Sequence, residues 1–193
     1  MQTYRISGPA GDSQIIVGER LERLKDYLPP GRVIIITDHR VRNLYKDRFP
    51  SAPVLSVGSG EAYKTLDTVR DIYSGLLERE ADRTAFIVGI GGGIVCDMAG
   101  FAASTYMRGV RFGFVPSTLL AQVDAAIGGK NGVNLNGYKN LVGTINQPEF
   151  VICDPFLLET LPEQEIRCGL AEIVKHGLIG DPQLYRFIEE NID

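Results

Sequence analysis

Short apolar runs alternate along this chain with longer stretches in which apolar residues recur every three or four positions. That alternation predicts an α/β fold with a largely parallel sheet. Gln14 to Val17, Arg32 to Thr37, Val54 to Val57, Thr84 to Gly89, Phe112 to Val115 and Phe150 to Cys153 read as strands. Between them, Glu19 to Leu28 reads as a helix, Arg40 to Phe49 as a shorter one, and Ala62 to Glu80 as the clearest. In that last segment Leu66, Val69, Ile72, Tyr73, Leu76 and Leu77 fall at helical spacing, while Lys64, Asp67, Arg70 and Glu78 point elsewhere.

From Gly128 to Pro148 glycines and asparagines break any sustained period, which predicts a long loop or irregular hairpin. Thr160-Leu-Pro-Glu163 has the form of a capping box, and the pattern after it is helical to the end, with Ile166, Leu170, Ile173 and Val174 as a buried stripe. The shift near Asp154 predicts a boundary between an α/β domain over 1–153 and the first helices of an α-helical domain over 154–193.

Composition narrows the function classes. A net charge of -4 gives no footprint for nucleic acid, so an anionic ligand must be met by local cations or helix N-termini. No apolar run approaches a membrane span, and the N-terminal residues lack a basic region followed by an apolar stretch, so a cytoplasmic protein is expected. Cys96, Cys153 and Cys168 form no CxxC pair and read as reduced, mostly buried thiols.

The chemistry-bearing feature is a glycine triplet. The strand ending at Ile90 runs into Gly91-Gly92-Gly93, and a helical pattern starts at once with Ile94-Val-Cys-Asp97. Glycines there let a backbone approach a ligand closely, and the helix start offers unpaired N–H groups to an anion such as a pyrophosphate. The spacing is not the GxGxxG fingerprint, because Ile94 stands where the third glycine belongs.

The run Gly91-Gly-Gly-Ile-Val-Cys-Asp-Met-Ala-Gly-Phe-Ala-Ala-Ser-Thr-Tyr-Met-Arg-Gly109 is joined by Val115-Pro-Ser-Thr through Gly-Gly-Lys-Asn-Gly-Val-Asn134, by Lys139-Asn140, and by Gly169-Leu-Ala-Glu-Ile-Val-Lys-His-Gly177. Together they closely resemble the 3-dehydroquinate synthases. The glycine triplet with its Asp is shared with iron-type alcohol and glycerol dehydrogenases, whereas the Arg-Gly, Gly-Gly-Lys and Lys-Asn elements narrow the resemblance to sugar-phosphate cyclases.

The resemblance implies a Rossmann-like NAD-binding domain. Members of the family bind NAD tightly and recycle it: a substrate hydroxyl is oxidised, phosphate is eliminated, the ketone is reduced again, and an aldol step closes the ring to 3-dehydroquinate. By similarity Asp38, Ser59, Gly60, Glu61, Lys64, Gly92, Gly93, Asp97, Ser117, Thr118, Leu157 and Thr160 are expected to contact NAD, with Lys130 and Lys139 beside it. Ser117-Thr118 departs slightly from the Thr-Thr commonly found there, and a serine hydroxyl can still donate.

Arg108, Lys130 and Lys139, each beside glycine or asparagine in loop-like sequence, are expected to meet the phosphate or carboxylate of a small phosphorylated keto-sugar acid. Isolated from their motifs, they would read as solvated surface charges. The resemblance adds Asp124 for substrate hydroxyls, Asn140 beside Lys139, and Lys175 for the substrate.

Glu172 is by similarity one of three ligands of zinc or cobalt, the others being histidines. Only His39 and His176 are present, and neither occupies a ligand position of the family, so the remaining ligands are expected outside this chain. Cys168, Glu172 and His176 do fall four apart on one helical face, but successive turns of one helix rarely converge on one ion without ligands from another element.

Family members continue well beyond this endpoint and are homodimers, so a dimerising chain incomplete for catalysis is expected. Alternatives are a related cyclase of secondary metabolism and a non-catalytic NAD-binding or dimerising module.

Overall fold

The computed structural model describes residues 1–191. Its strands are β1 (Gln2–Gly8), β2 (Gly11–Val17), β3 (Val33–Asp38), β4 (Val54–Val57), β5 (Phe86–Gly91), β6 (Arg111–Pro116), β7 (Lys130–Leu135), β8 (Tyr138–Ile145) and β9 (Phe150–Cys153). The helices are α1 (His39–Tyr45), α2 (Leu66–Glu78), α3 (Gly93–Thr105), α4 (Glu163–Gly180) and α5 (Pro182–Asn191).

The main sheet runs β1-β2-β9-β6-β5-β3-β4 and is parallel except for the β1–β2 hairpin at its edge. Every residue of β5 is buried, as expected for a central parallel strand covered on both faces. One face packs Val69, Ile72 and Leu76 of α2 and most of α3 against Ile34, Ile36, Ile87 and Phe114. The other gathers Leu21, Leu24, Val41 and Tyr45 around Phe86, Val88 and Phe150. The expected Rossmann-like layering is therefore present.

Several local expectations need correction. Residues 19–28 form only a 3-10 turn, Leu21–Asp26, because the Asp154 carboxylate accepts the Leu21 N–H at 2.9 Å and Pro29-Pro30 follows. Thr65 caps α2 by accepting the Thr68 N–H, so the helix starts later than its apolar spacing suggests, and Leu66 and Leu77 end up exposed. The edge strand β1 escaped sequence reading because it is mostly exposed and carries few apolar residues.

The segment 128–148 resolves into the β7–β8 hairpin. Asn136 and Gly137 both have positive φ, which suits a two-residue hairpin turn. Lys130 and Lys139 therefore stand on strands rather than loops. The capping box does not form, because Thr160 pairs with the Tyr45 hydroxyl and Pro162 precedes α4 without a side-chain cap.

The predicted stripe on α4 is only half-buried, and its fully buried positions are Gly169 and Gly177. Among the described residues no helix is long and apolar enough to cross a membrane.

Candidate active site

Parallel strands deliver their carboxyl ends to one edge of the sheet, and the first cleft, about 430 Å³, lies there. Chain order reverses across it, since β3 leads outward to β4 on one side while β5 starts the other half. Open α/β sheets bind ligands at such a crevice.

Asp38 ends β3 and caps α1, accepting the Arg40 and Val41 N–H groups at 2.8 and 3.0 Å. The Ser59 hydroxyl donates to the same oxygen at 3.0 Å. The turn after β4 enters the cleft through Ser59, Gly60 and Glu61, and Gly60 takes a φ of +101°.

Gly92 precedes α3, whose first-turn N–H groups have no acceptor within the helix. A β-carbon on Gly92 would lie 3.1 Å from the Thr118 methyl, so a side chain there must crowd the cleft wall. Ser117 and Thr118 follow β6, while Leu157 and Thr160 close the far side. Leu157 and Thr160 are held by Tyr45, whose hydroxyl donates to the Leu157 carbonyl at 3.1 Å. A helix N-terminus, a close-approach glycine and a carboxylate on the neighbouring strand together suit a dinucleotide: phosphates at the helix, ribose hydroxyls at the acid.

A second cleft, about 450 Å³, is lined by Asp97, Asp124, Lys130, Asn131, Asn140 and neighbours on the hairpin. The two clefts abut where Gly93 faces Ala125, since a β-carbon on Gly93 would sit 3.0 Å from that of Ala125. Lys64 and Asp97, both expected at the cofactor, pair with each other at 2.5 Å, and Lys64 is only 5% exposed. Lys64 also donates to the Asn140 side chain. Burial pushes the Asp97 carboxyl above its ordinary value, and Lys64 draws it back down. Neither Lys64 nor Asp97 lines the first cleft.

The remaining cations are looser. Lys130 lies 3.6 Å from Asp124 and Lys139 3.8 Å from Glu61, both lysines largely exposed. Arg108 closes a 3-10 turn with a φ of +70°, is exposed, and lines neither cleft. Lys175 stands on α4 paired with Glu172 rather than in a cleft wall.

α4 crosses the short helical turn Ala121–Ala125 at Gly169, whose hypothetical β-carbon would fall 2.5 Å from Leu119 Cγ and 2.8 Å from the Leu120 nitrogen. No larger residue permits that approach. It carries Glu172 and His176 to Asp124, and one donor atom from each of the three lies within 4.8 Å of the others. Cys168 is exposed and lies outside this group, whereas Cys96 and Cys153 are buried. The donor chemistry, two carboxylates and an imidazole, fits a divalent cation. Asp124 supplies the second element that the helix alone lacks, a partnership no periodicity in the sequence signals.

Residues 54–168 match the family model described as 3-dehydroquinate synthase N-terminal. The 3-dehydroquinate synthase of Halorhodospira halophila is 47% identical over 174 residues, covering 88% of this chain and 49% of that protein. That of Pseudomonas fluorescens is 42% identical over 203 aligned positions, covering 100% of this chain and 56% of its own. The chain spans about half the length of the curated relatives it matches.

Among solved structures, 2-epi-5-epi-valiolone synthase from Streptomyces hygroscopicus, with NAD+ and Zn2+ bound, superposes with a TM-score of 0.87 at 31% identity over 97% of this chain and 55% of that one. A 2-deoxy-scyllo-inosose synthase complexed with carbaglucose-6-phosphate, NAD+ and Co2+ gives 0.80 at 31%, covering 92% and 52%. An iron-containing alcohol dehydrogenase from Thermococcus thioreducens, 21% identical with a TM-score of 0.68 over 86% and 51%, shares the fold alone.

Proposed function

The chain belongs to the 3-dehydroquinate synthase family, and from that premise we propose that it forms the NAD-binding half of such an enzyme together with one wall of its substrate site. The carrying observation is the first cleft, where the α3 N-terminus, Gly92 and the Asp38 carboxylate converge at the carboxyl ends of β3 and β5. NAD held there would supply reversible hydride acceptance, and a cation held by Glu172 would supply polarisation of a substrate hydroxyl.

In this reading Asp38 and Ser59 orient a ribose, and the α3 amides with Ser117 and Thr118 take the phosphates. Glu61, Leu157 and Thr160 close the cleft around the cofactor. Asp124 accepts from substrate hydroxyls in the second cleft. Lys130, Lys139 and Lys175 are exposed enough to turn toward a phosphate or carboxylate. Lys64 and Asp97, paired with each other, also fix the hairpin residue Asn140 against α3.

The substrate is then 3-deoxy-arabino-heptulosonate 7-phosphate, converted to 3-dehydroquinate and phosphate in the cytoplasm by a homodimer. Catalysis needs further polypeptide beyond these residues. Relatives named 3-dehydroquinate synthase at 42–47% identity favour this substrate over those of the cyclases found at 31%.

Isothermal titration with NAD tests the premise directly. The chain is expected to bind, and Gly92→Val to abolish binding while leaving the circular dichroism spectrum intact. A folded wild-type chain with no NAD affinity would refute the assignment. Phosphate release from the seven-carbon substrate should be absent with the chain alone and appear when the remaining polypeptide is supplied.

A further inference from the structure

We infer that Tyr45, backed by the Arg48–Asp154 ion pair, is a positioning residue: it holds the turn Pro155–Thr160 in place as the far wall of the first cleft, and so sets cofactor affinity through that wall. The inference rests on the cofactor reading above and extends it to residues outside the motifs that carry that reading.

The turn needs such a hold. It is one short 3-10 segment whose single buried residue is Leu157, and Pro162 opens α4 beyond it with no side-chain cap. Yet it supplies both Leu157 and Thr160 to the cleft. A backbone this short, closed by i→i+3 bonds alone, takes its position from its neighbours.

Tyr45 is the chief neighbour. Its ring is buried, while its hydroxyl donates to the Leu157 carbonyl at 3.1 Å and pairs with the Thr160 hydroxyl. The phenol is thereby committed, as donor and as acceptor, to the turn. Tyr45 is also the last residue of α1, whose first turn is capped by Asp38, the carboxylate proposed for the ribose. One seven-residue helix therefore links the two sides of the cleft.

A second brace lies behind the first. Asp154 is fully buried; one of its oxygens accepts the Phe156 N–H at 3.0 Å, and the other accepts the Leu21 N–H at 2.9 Å and Arg48 Nη2 at 3.2 Å. A carboxylate at that depth is tolerated only with such donors and a cation beside it. Arg48 also bonds both oxygens of Glu22, at 2.6 and 3.2 Å, and its guanidinium lies 5.3 Å from the centre of the Tyr45 ring. It thus ties the end of α1 to the start of the turn. Gln122 secures the other side, donating to the Pro116 carbonyl at 3.1 Å and the Asp154 carbonyl at 2.9 Å, which fixes the turn relative to Ser117 and Thr118.

Calorimetric titration of NAD into the whole chain tests the brace. Tyr45→Phe keeps the ring and removes only the hydroxyl. Apparent affinity scales with the fraction of molecules whose wall is in place, and it should fall about tenfold. Arg48→Met reaches the same turn by a second route and should weaken binding about threefold, whereas Arg48→Lys, which returns a cation to Asp154, should recover most of that loss. Ile72→Val, in the core on the opposite face of the sheet, is the control: its denaturant midpoint should fall while its NAD affinity stays that of the wild type.

Tyr45→Phe combined with Thr160→Val should weaken binding less than the product of the two single effects, because both act on one wall. Single losses that simply multiply would overturn the inference. So would wild-type affinity retained in Tyr45→Phe and Arg48→Met, an outcome that leaves the cofactor reading standing. A folded wild-type chain that binds no NAD would instead refute that reading, and the inference with it.

Discussion

The sheet with α2 and α3 and the terminal pair α4–α5 are built on opposite terms. In the first, β5 is buried at every residue and α3 hides eight of its thirteen. In the second, only two glycines of α4 and no residue of α5 are buried, while Leu178, Ile179 and Phe187 are 66%, 75% and 63% exposed. The first cleft is lined mainly by strand ends and the turns that follow them, and α4 reaches it only through Glu165 in its first turn. Substitutions in the two regions should accordingly differ in the size of their effects.

Thiol reactivity gives the widest contrast. Burial pushes the Cys153 thiol up to about 12 and raises that of Cys96 as well, while Cys168 stands exposed on α4. The thiolate is the reactive form, so Cys168 should react with a disulfide reagent on the order of 10³-fold faster than Cys153 in the native chain. All three should react promptly in denaturant. Rapid modification of Cys96 or Cys153 under native conditions would mean that the sheet region opens far more easily than its burial implies.

Next in size is the Lys64–Asp97 pair. Lys64→Ala leaves a largely buried carboxylate without its cation and should cost about 3–5 kcal/mol in chemical denaturation. Lys175→Ala, at a half-exposed ion pair on α4, should cost about 0–1 kcal/mol. Similar losses for the two would erase the distinction between buried and screened charges on which the comparison rests.

Gly169→Val probes the seam between the regions. Its side chain meets Leu119 and the Leu120 backbone, so α4 must shift, at a cost of about 1–3 kcal/mol. NAD binding should weaken with it, because Glu165 of α4 and Pro162 just before it line the first cleft. Unchanged NAD affinity, measured by calorimetry, would show that the first cleft does not depend on where α4 sits.

The smallest effect is expected at Ile179→Glu, where three-quarters of the side chain already faces solvent. The change in stability should stay within about 0.5 kcal/mol, measured by denaturant midpoint. A larger loss would mean that α4–α5 is packed by something other than the sheet region.

The sequence by itself determined the largely parallel sheet and the glycine turn at the end of β5, while the other residues expected at the cleft came from the family resemblance. Uninterrupted apolar runs such as Val33 to Ile36 and Phe86 to Ile90 can be buried only at the centre of a covered sheet, and glycine at Gly92 marks the close approach in one dimension. The β7–β8 turn was partly legible, since Asn136-Gly137 between Leu135 and Tyr138 is a hairpin signal that the glycines around it obscure.

Only the tertiary structure decided that Lys64 pairs with Asp97, that Arg108 stands apart from both clefts, and that Asp124 lies beside Glu172 and His176. Periodicity records which face of an element is buried, not which element lies against it. That partnership is fixed by contacts such as Gly100 on Asn131 and Gly169 on Leu119, where a missing side chain sets the distance between elements far apart in the chain.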